Sequence, residues 1–209
     1  MHYCAFIILA FIVVFAACER PPVTKETAID HNTVEHSKMG HANINHSTME
    51  SSPGAAEQSY DVQFIDTMTA HHQGAIDMAM LADTRAQRAE MKTLARNIIS
   101  DQQKEVAQMK KWREEWFPGK PLAVNMDLAG MRDGMTGMNM MKLDLLKENA
   151  FDIEFISQMI PHHEGAVVMA KQALKKSEKA EIKALAETII ESQEAEIKQM
   201  RDWQIAWSR

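Results

Sequence analysis

The sequence MTAHHQGA at residues 68–75 returns almost unchanged as MIPHHEGA at residues 159–166. Each copy begins a longer repeat, because residues 64–117 align with residues 155–208 at a constant offset of 91, with 23 of the 54 aligned positions identical. Four of the nine histidines lie in these two pairs, and the chain also contains 17 methionines. Imidazole and thioether groups in one repeated pattern indicate a site for a soft or borderline metal ion.

Each repeat has the apolar spacing of two amphipathic helices. In the first copy, apolar residues recur every three or four positions over residues 64–79 and again over residues 91–112, with almost no strand-like alternation. The sequence Thr84-Arg85-Ala86-Gln87 fits a capping box and predicts that the second helix starts there. In the second copy we expect Ser177 to cap the corresponding helix. The repeats therefore predict two helical hairpins.

Two hairpins predict an all-α fold, a four-helix bundle with pseudo-twofold symmetry. We expect the first hairpin at residues 60–117 and the second at residues 151–209, joined by a Met-rich crossover at residues 118–150. Before the hairpins, residues 1–17 read as a lipoprotein signal peptide, and residues 18–59 read as a lipidated, disordered, His-rich tether. The rest of the chain, from residue 60 onward, has the size of one domain with a single core.

The N-terminus predicts export. Residues 5–17 form an unbroken apolar run directly before Cys18, and this run is short for a membrane span, which needs about 20 residues. Small residues before a cysteine resemble the lipobox of bacterial lipoproteins. We therefore expect cleavage before Cys18, lipid on its thiol, and a lipid-anchored protein in the periplasm or cell envelope. An uncleaved N-terminal anchor is the alternative.

Cysteine usage narrows the choice of metal. Cys4 would leave with the signal peptide and Cys18 would carry lipid, so the mature chain would have no free thiol. Thiolates are hard to keep reduced outside the cytoplasm, which leaves thioethers and imidazoles as soft and borderline ligands. This combination favours copper. The formal net charge of −6 gives no support for a nucleic-acid partner.

The polar segment before the first repeat carries histidines at a strict spacing of five: His31, His36, His41 and His46. It lacks aromatic residues and is rich in Ser, Thr and Asn, which predicts a flexible tether. Its imidazoles suit Cu(II), and we expect low-specificity capture, with an affinity below that of a preformed site because the segment loses entropy on ordering. Solvated polar filler is the alternative.

The crossover interleaves methionine with glycine, asparagine and aspartate. This composition predicts no regular helix before about Met138, followed by a short helix within residues 140–147. Two interpretations remain open. The crossover is either a Met-rich copper-binding loop, with Met135 and Met138 as ligands, or a flexible lid over the bundle.

Within each repeat the methionines share a helix face with the histidines. Met68 lies three and four residues before His71 and His72, and residues at this spacing are neighbours on a helix. Met78 lies two turns beyond His71, and the second copy repeats the geometry with Met159, His162, His163 and Met169. Such mixed sites suit Cu(I). Adjacent histidines point about 100° apart, so we expect one of each pair to face inward and the other to face the tail or an outer shell.

The predicted turn also sets a register between the first two helices. A turn near residues 84–87 brings Ile99 alongside His72 and Gln102 alongside Met68, with Glu105 one turn further on.

The doubled motif Phe-Ile-x2-Met-x2-His-His-x-Gly-Ala, with Gln-x2-Glu-Ile/Val-x2-Met-x2-Trp closing each repeat, resembles the family catalogued as "domain of unknown function 305". That family includes CopM-like copper-binding proteins, and the resemblance covers residues 60–207. It implies a ferritin-like four-helix bundle, exported or periplasmic, that binds copper through Met and His and protects against copper excess. The motif residues carried over by position are Met68, His71, His72, Met78, Met109, Met159, His162, His163, Met169 and Met200.

These observations predict a copper-binding protein rather than an enzyme. We expect it to capture and sequester Cu(I) and Cu(II) in copper homeostasis or resistance, with a copper-efflux or chaperone protein as a further partner. A di-iron oxidase would need Glu-x-x-His pairs, and no glutamate precedes a histidine by three residues. A zinc peptidase would need His-Glu-x-x-His, but Val167 occupies the last position. A bundle that binds another protein, with structural histidines, is the remaining alternative.

Overall fold

The computed structural model describes residues 49–207, and this part of the chain is built on helices without any strand. Two short helices lie in the connection between the second and third of four long ones. The predicted all-α four-helix bundle is confirmed. In chain order the helices are α1 (Tyr60–Arg85), α2 (Ala89–Trp116), α3 (Met131–Thr136), α4 (Met140–Leu145), α5 (Glu148–Lys176) and α6 (Ala180–Trp207).

Several predictions fall on residues outside the described range. They are the signal peptide at residues 1–17, the lipidation of Cys18, and the metal ligands His31, His36, His41 and His46. Within residues 49–207, no helix combines the length and the apolar character that crossing a membrane requires.

Residues 49–59 belong to the predicted disordered tether, but the structure places them in an ordered segment against the crossover. Ser52 donates its backbone N–H to the carbonyl of Val124 at 2.8 Å. The N–H of Val124 donates in return to the Ser52 hydroxyl at 3.2 Å. A single 3-10 turn follows at Ala55–Glu57. These long-range partners are invisible in a composition argument, which is why the predicted tether extends too far.

The two hairpins pack through their inner helices. Helix α1 pairs with α2 and α5 pairs with α6, while the hairpins meet along α1 and α5. Lys176, at the end of α5, lies 5.6 Å from the ring of Tyr60 at the start of α1. Arg85, at the end of α1, lies 5.9 Å from the ring of Phe151 at the start of α5. Helices α1 and α5 therefore run antiparallel, with their midpoints crossing in the core.

Burial follows this arrangement. In α1, 17 of 26 residues are buried, whereas α2 buries only 7 of 28. Helix α1 is therefore covered on most sides, and α2 buries a single stripe. The same holds for α5 and α6, which bury 15 of 29 and 6 of 28 residues. The histidine pairs thus lie on the two helices that the fold covers best.

Both predicted helix starts differ from the structure. The Thr84 hydroxyl donates back to a carbonyl within α1, α1 continues to Arg85, and α2 begins only at Ala89. Ser177 likewise follows the end of α5, where its hydroxyl accepts the backbone N–H of Lys179 at 3.1 Å. The first hairpin therefore turns later along the chain than the capping-box motif predicts.

A distant carboxylate binds the free N–H groups before α2. Asp152, in the first turns of α5, accepts the backbone N–H of Gln87 at 3.0 Å and that of Arg88 at 3.1 Å. The Arg88 guanidinium also donates to it at 3.0 Å, and the carboxylate is fully buried. Asp61 holds the equivalent position in the first repeat, but its Oδ1 has no partner. The start of α2 is therefore capped by the other hairpin.

Cation–π contacts join the hairpins at both ends of the bundle. Arg88 lies 4.1 Å from the ring of Trp207, and Lys179 lies 4.9 Å from the ring of Trp116. The offset of 91 relates Arg88 to Lys179 and Trp116 to Trp207, so the two contacts are one interaction made twice. The expected pseudo-twofold relation between the halves is visible in this reciprocal pair.

The crossover contains one helix that the sequence did not predict. Its glycine content argues against a regular helix before Met138, yet α3 forms and packs against α5. Gly130 precedes it in the left-handed region, with φ 95°. Contact with α5 therefore outweighs poor helix propensity here. Helix α4 agrees with the expected short helix, and the Asn139 side chain caps it.

The contribution of the Asp152 cap can be measured by comparison with Asp61, its equivalent in the first repeat. Because Asp152→Ala leaves two backbone N–H groups and Arg88 without their acceptor, it should destabilise the protein by about 2 kcal/mol or more. Asp61→Ala should cost no more than about 1 kcal/mol, the usual value of an acidic residue in a first helical turn. Urea unfolding of the two variants checks this. Equal losses would show that the cap contributes nothing beyond helix-end electrostatics.

Candidate metal centre

The four repeat histidines meet in the core where α1 and α5 cross. The rings of His71 and His162 face each other across the hairpin interface, with centroids 3.8 Å apart. His72 and His163 stand next to them, with centroids 6.3 Å and 6.1 Å from the ring of the preceding histidine. All four side chains are completely buried. The fold therefore brings both predicted pairs into one cluster.

The two inner histidines have unused hydrogen-bonding capacity. Neither Nδ1 nor Nε2 of His71 has a partner, and the same is true of His162. A buried polar atom without a partner costs roughly 1–3 kcal/mol. Native cores seldom contain such atoms, and those that persist call for a functional reason. Four unpartnered nitrogens on two rings in contact therefore make this cluster a candidate ligand site.

The outer histidines are held by carboxylates of the neighbouring helix. His72 Nε2 lies 2.6 Å from Glu105 of α2, and His163 Nε2 lies 2.8 Å from Glu196 of α6. Because an ionised carboxylate can only accept, Nε2 is the donor in each pair, and a neutral ring in this arrangement has its lone pair on Nδ1. Both Nδ1 atoms are buried without a partner. A carboxylate that fixes a histidine in this way is typical of metal sites.

Sequence reasoning did not include Glu105 and Glu196 among the site residues. The offset of 91 relates them, and each belongs to the motif that closes its repeat. The sequence did contain a signal for them. The glutamate is identical in both copies, and it lies one helical turn after a glutamine of the buried stripe, Gln102 or Gln193.

The expected register between α1 and α2 was wrong. Glu105, rather than Ile99, lies opposite His72, because α1 continues past Thr84 and the register with α2 moves accordingly. The expected division of each pair agrees with the structure, since His71 and His162 face each other in the core, whereas the second histidine of each pair turns to the glutamate of its own hairpin.

The predicted methionine ligands are all buried. Each of them is at most 2 % exposed and belongs to the core that surrounds the histidines. Thr69 directs its hydroxyl at the sulfur of Met109, at 3.9 Å. The Met138 sulfur and His162 Nε2 lie 3.3 Å and 3.4 Å from the position that a Cβ on Gly74 would occupy. For the other methionines the structure establishes a shared core. The full set is Met68, Met78, Met109, Met135, Met138, Met159, Met169 and Met200.

Glycines let the crossover lie directly on the histidines. A Cβ at Gly165 of α5 would stand 2.4 Å from the carbonyl oxygen of Gly130. A Cβ at Gly134 would stand 2.9 Å from Nε2 of His71. Only hydrogen fits at these contacts. The crossover therefore covers the inner histidines, as the lid interpretation expects.

Burial keeps the inner histidines neutral. The pKa of His71 lies well below its ordinary value of 6.5, first because burial disfavours the charged ring and then because of the charges of His72 and His163. Burial also lowers the pKa of His162, assisted by His71, His163 and His72 in that order. In both cases the nearby main-chain carbonyl of the other inner histidine opposes the shift, although its geometry to the ring is too poor for a hydrogen bond. Neutral imidazole is the form that binds metals.

The side chains available as ligands limit which metal ions this cluster suits. Within residues 49–207, no three His, Cys, Asp or Glu side chains lie close enough together to hold an ion. Structural zinc sites and di-iron carboxylate sites need at least that many such ligands. The donors that surround the histidines in the core are methionine thioethers, and thioethers favour soft ions such as Cu(I).

The chain matches the family described as "Domain of unknown function (DUF305)" over residues 61–204. It belongs to the DUF305 family. The resemblance inferred from the doubled motif is thus confirmed. No curated protein matches this DUF305 chain.

Solved structures of the same family are similar over most of their length. CopM in the Cu(II)-bound form is 44 % identical, with a TM-score of 0.62, and the match covers 72 % of this chain and 99 % of CopM. CopM in the Cu(I)-bound form is 43 % identical, with a TM-score of 0.61 and the same coverage. A DUF305 protein from Streptomyces coelicolor is 30 % identical, with a TM-score of 0.64, covering 72 % of this chain and 93 % of that protein.

The lowered pKa values predict how the stability of the metal-free protein depends on pH. Below about pH 6.5, His71 and His162 bind protons in the unfolded chain but not in the folded one, so stability is present above that pH and is lost as pH falls. Each histidine contributes at most about 1.4 kcal/mol per pH unit. Urea unfolding between pH 7.5 and pH 5 measures the slope.

The double variant His71→Gln/His162→Gln supplies the control. It lacks both groups, so its stability should fall less steeply over the same range. Parallel curves for the variant and the wild type would mean that other groups cause the acid sensitivity.

Proposed function

We propose that this DUF305 protein captures copper and sequesters it within its helical bundle, using imidazole and thioether ligands. The observation that carries the proposal is the buried contact between His71 and His162, whose four ring nitrogens all lack partners. Both rings are kept neutral, and methionines fill the core around them. A cluster of this composition suits a soft cation and suits magnesium or calcium poorly.

The similarity to CopM supports copper as the ion. CopM has been solved in both a Cu(II)-bound and a Cu(I)-bound form. This chain covers nearly the whole of CopM at more than 40 % identity. We assign Cu(I) to the Met and His ligands of the bundle, and Cu(II) to the His-rich segment at His31, His36, His41 and His46, whose imidazoles suit that ion.

Burial favours sequestration over turnover. The histidines are completely buried, so a substrate could reach them only if part of the fold moved aside. We therefore describe the protein as a binding protein and not as an enzyme. Its copper would pass to an efflux or chaperone protein of the same compartment.

The N-terminal sequence supports a place in the periplasm or cell envelope. The apolar run at residues 5–17 and the cysteine that follows it are the features of a lipoprotein leader. Lipid on Cys18 would anchor the protein to a membrane. The chain would then hold its copper ligands outside the cytoplasm, where thiol ligands are hard to keep reduced.

Anaerobic Cu(I) titration of the full chain against a chromophoric chelator tests the function. We expect tight binding, retained when the four tail histidines are replaced by asparagine. The double variant His71→Gln/His162→Gln should weaken binding by at least about tenfold. That is the smallest loss typical of a change to a residue next to a metal ligand, and removal of the ligands themselves should cost no less. Circular dichroism must show that each variant is folded. Failure of the wild type to bind Cu(I) would disprove the proposal.

Two cysteine variants test the anchor separately. In the native host, Cys18→Ala should move the protein from the membrane fraction to the soluble fraction and abolish incorporation of labelled palmitate. Cys4→Ala is the matched control and should change neither, because Cys4 would leave with the signal peptide. Membrane association that survives Cys18→Ala would favour an uncleaved N-terminal anchor.

A further inference from the structure

One segment of the crossover separates the inner histidines from solvent. Residues 128–138, which we call the lid, contain α3 and pack on α5. A Cβ at Gly134 in α3 would lie 2.9 Å from Nε2 of His71 and 3.2 Å from the carbonyl oxygen of His162. The outer face of the lid is exposed at Arg132, Asp133, Thr136 and Gly137. The cover is therefore one helix thick, and an ion can reach this side of His71 only if the lid moves.

Hydrogen bonds fasten the chain on both sides of the lid. Before it, the backbone N–H of Asn125 donates to the hydroxyl of Thr67 in α1 at 2.9 Å. After it, the backbone N–H of Asn139 donates to the side-chain carbonyl of Gln158 in α5 at 2.7 Å. The two ends of the lid are therefore tied to α1 and α5, the helices that carry the inner histidines.

The lid itself is attached differently. In the described part of the chain, the hydrogen bonds of residues 128–138 run only among themselves and to Asn125 and Asp127. Apolar burial and van der Waals contacts hold the lid on the bundle. Its buried side chains are three methionines, each at most 2 % exposed: Met131, Met135 and Met138. A segment held only by such contacts opens locally more readily than one that is also hydrogen-bonded to the core.

We propose that the lid opens in solution and that this opening is the route by which Cu(I) enters and leaves the buried histidines. The identity of the ion rests on the proposed function, whereas the opening is a property of the metal-free protein. The closed lid is the stable state, so uptake and release of copper both wait for the same opening. A bound ion is then retained by a slow rate as well as by its ligands, as sequestration requires.

Methionine oxidation measures the opening without any metal. Hydrogen peroxide oxidises a thioether that solvent can reach. Met135 in the lid and Met109 in α2 are both buried, at 1 % and 0 % exposed. In the metal-free full chain, the initial rate of sulfoxide formation should be at least about tenfold higher at Met135, because local opening exposes only the lid methionine. Mass spectrometry of the peptides gives both rates. Equal rates would show that the lid opens only when the whole protein unfolds, and would overturn the proposal.

Two glycines of the lid supply a variant that unseats it and a control. The contact between Gly134 and Nε2 of His71 leaves no room for a Cβ, whereas a Cβ at Gly137 would lie 3.9 Å from the ring of Pro161, an ordinary van der Waals distance. Gly134→Ala should raise the oxidation rate of Met135 by at least about fivefold, the smallest effect typical of overpacking. Alanine forms helix better than glycine, so a weaker helix cannot be the cause. Gly137→Ala should keep the rate of the parent.

A second pair of variants acts at the contact between Gly130 and Gly165. A Cβ at Gly130 would stand 2.3 Å from the carbonyl oxygen of Gly165. Gly119 is also in the left-handed region, with φ 72° against 95° for Gly130, but in the described part of the chain a Cβ there would meet no atom within 4 Å. Gly130→Ala should therefore speed the oxidation of Met135, and Gly119→Ala should not. Circular dichroism must show that each variant is folded. If each lid variant behaves like its control, the seating on α5 does not govern the opening and the proposal is wrong.

Copper kinetics connect the opening to the function. In the full chain with its tail histidines replaced by asparagine, stopped-flow transfer of Cu(I) from a chelator should be faster in Gly130→Ala than in the parent. The increase should match the increase in Met135 oxidation, because both processes use one open state. Gly119→Ala should take up Cu(I) at the rate of the parent.

The outcomes separate the route from the general function. If the parent binds Cu(I) but Gly130→Ala speeds only the oxidation, the lid is not the route, and this proposal fails while copper binding stands. If the parent binds no Cu(I), the proposed function fails and the route fails with it.

Discussion

The contact between two unpartnered imidazoles in a buried core is the constraint on which this structure depends. Burying His71 and His162 without hydrogen bonds opposes folding, so the helices that carry them must be held together by other interactions. The fold supplies these at a distance from the rings. Asp152 caps the opposite hairpin, and cation–π contacts close both ends of the bundle. The ends stabilise a centre that is poorly satisfied by itself.

Much of this architecture could be predicted from the sequence, because helix periodicity and the constant offset of the repeat can be read directly from the order of the residues. The two helices that carry the histidine pairs were predicted correctly, and the hairpins follow from the repeat. The predicted register failed because Thr84 offers a plausible cap while the actual acceptor, Asp152, lies more than sixty residues away along the chain. The partnership of His72 with Glu105 depends on that register, so it could not be predicted either.

The crossover shows a second limit of sequence reasoning. Its composition predicts irregular structure, and that is a fair statement of what the segment would do alone. Helix α3 exists because Gly130 and Gly134 let the backbone lie on Gly165, and that close approach is a property of the assembled fold. The two interpretations of the crossover, as a lid or as a source of metal ligands, are compatible in the structure, since Met138 lies in the segment that covers the histidines.

The reciprocal contacts of Arg88 with Trp207 and of Lys179 with Trp116 are those of an isologous interface, in which a surface recognises a copy of itself. A single hairpin of this repeat already carries both the cation and the ring, and so is self-complementary. Because both hairpins belong to one chain, the interface has the geometry of a symmetric homodimer although its two halves are not identical. Asp152 and Asp61 illustrate the difference: Asp152 caps the other hairpin across the pseudo-twofold axis, whereas Asp61 Oδ1 has no partner and the hydroxyl of Ser177 accepts a local N–H at the equivalent turn.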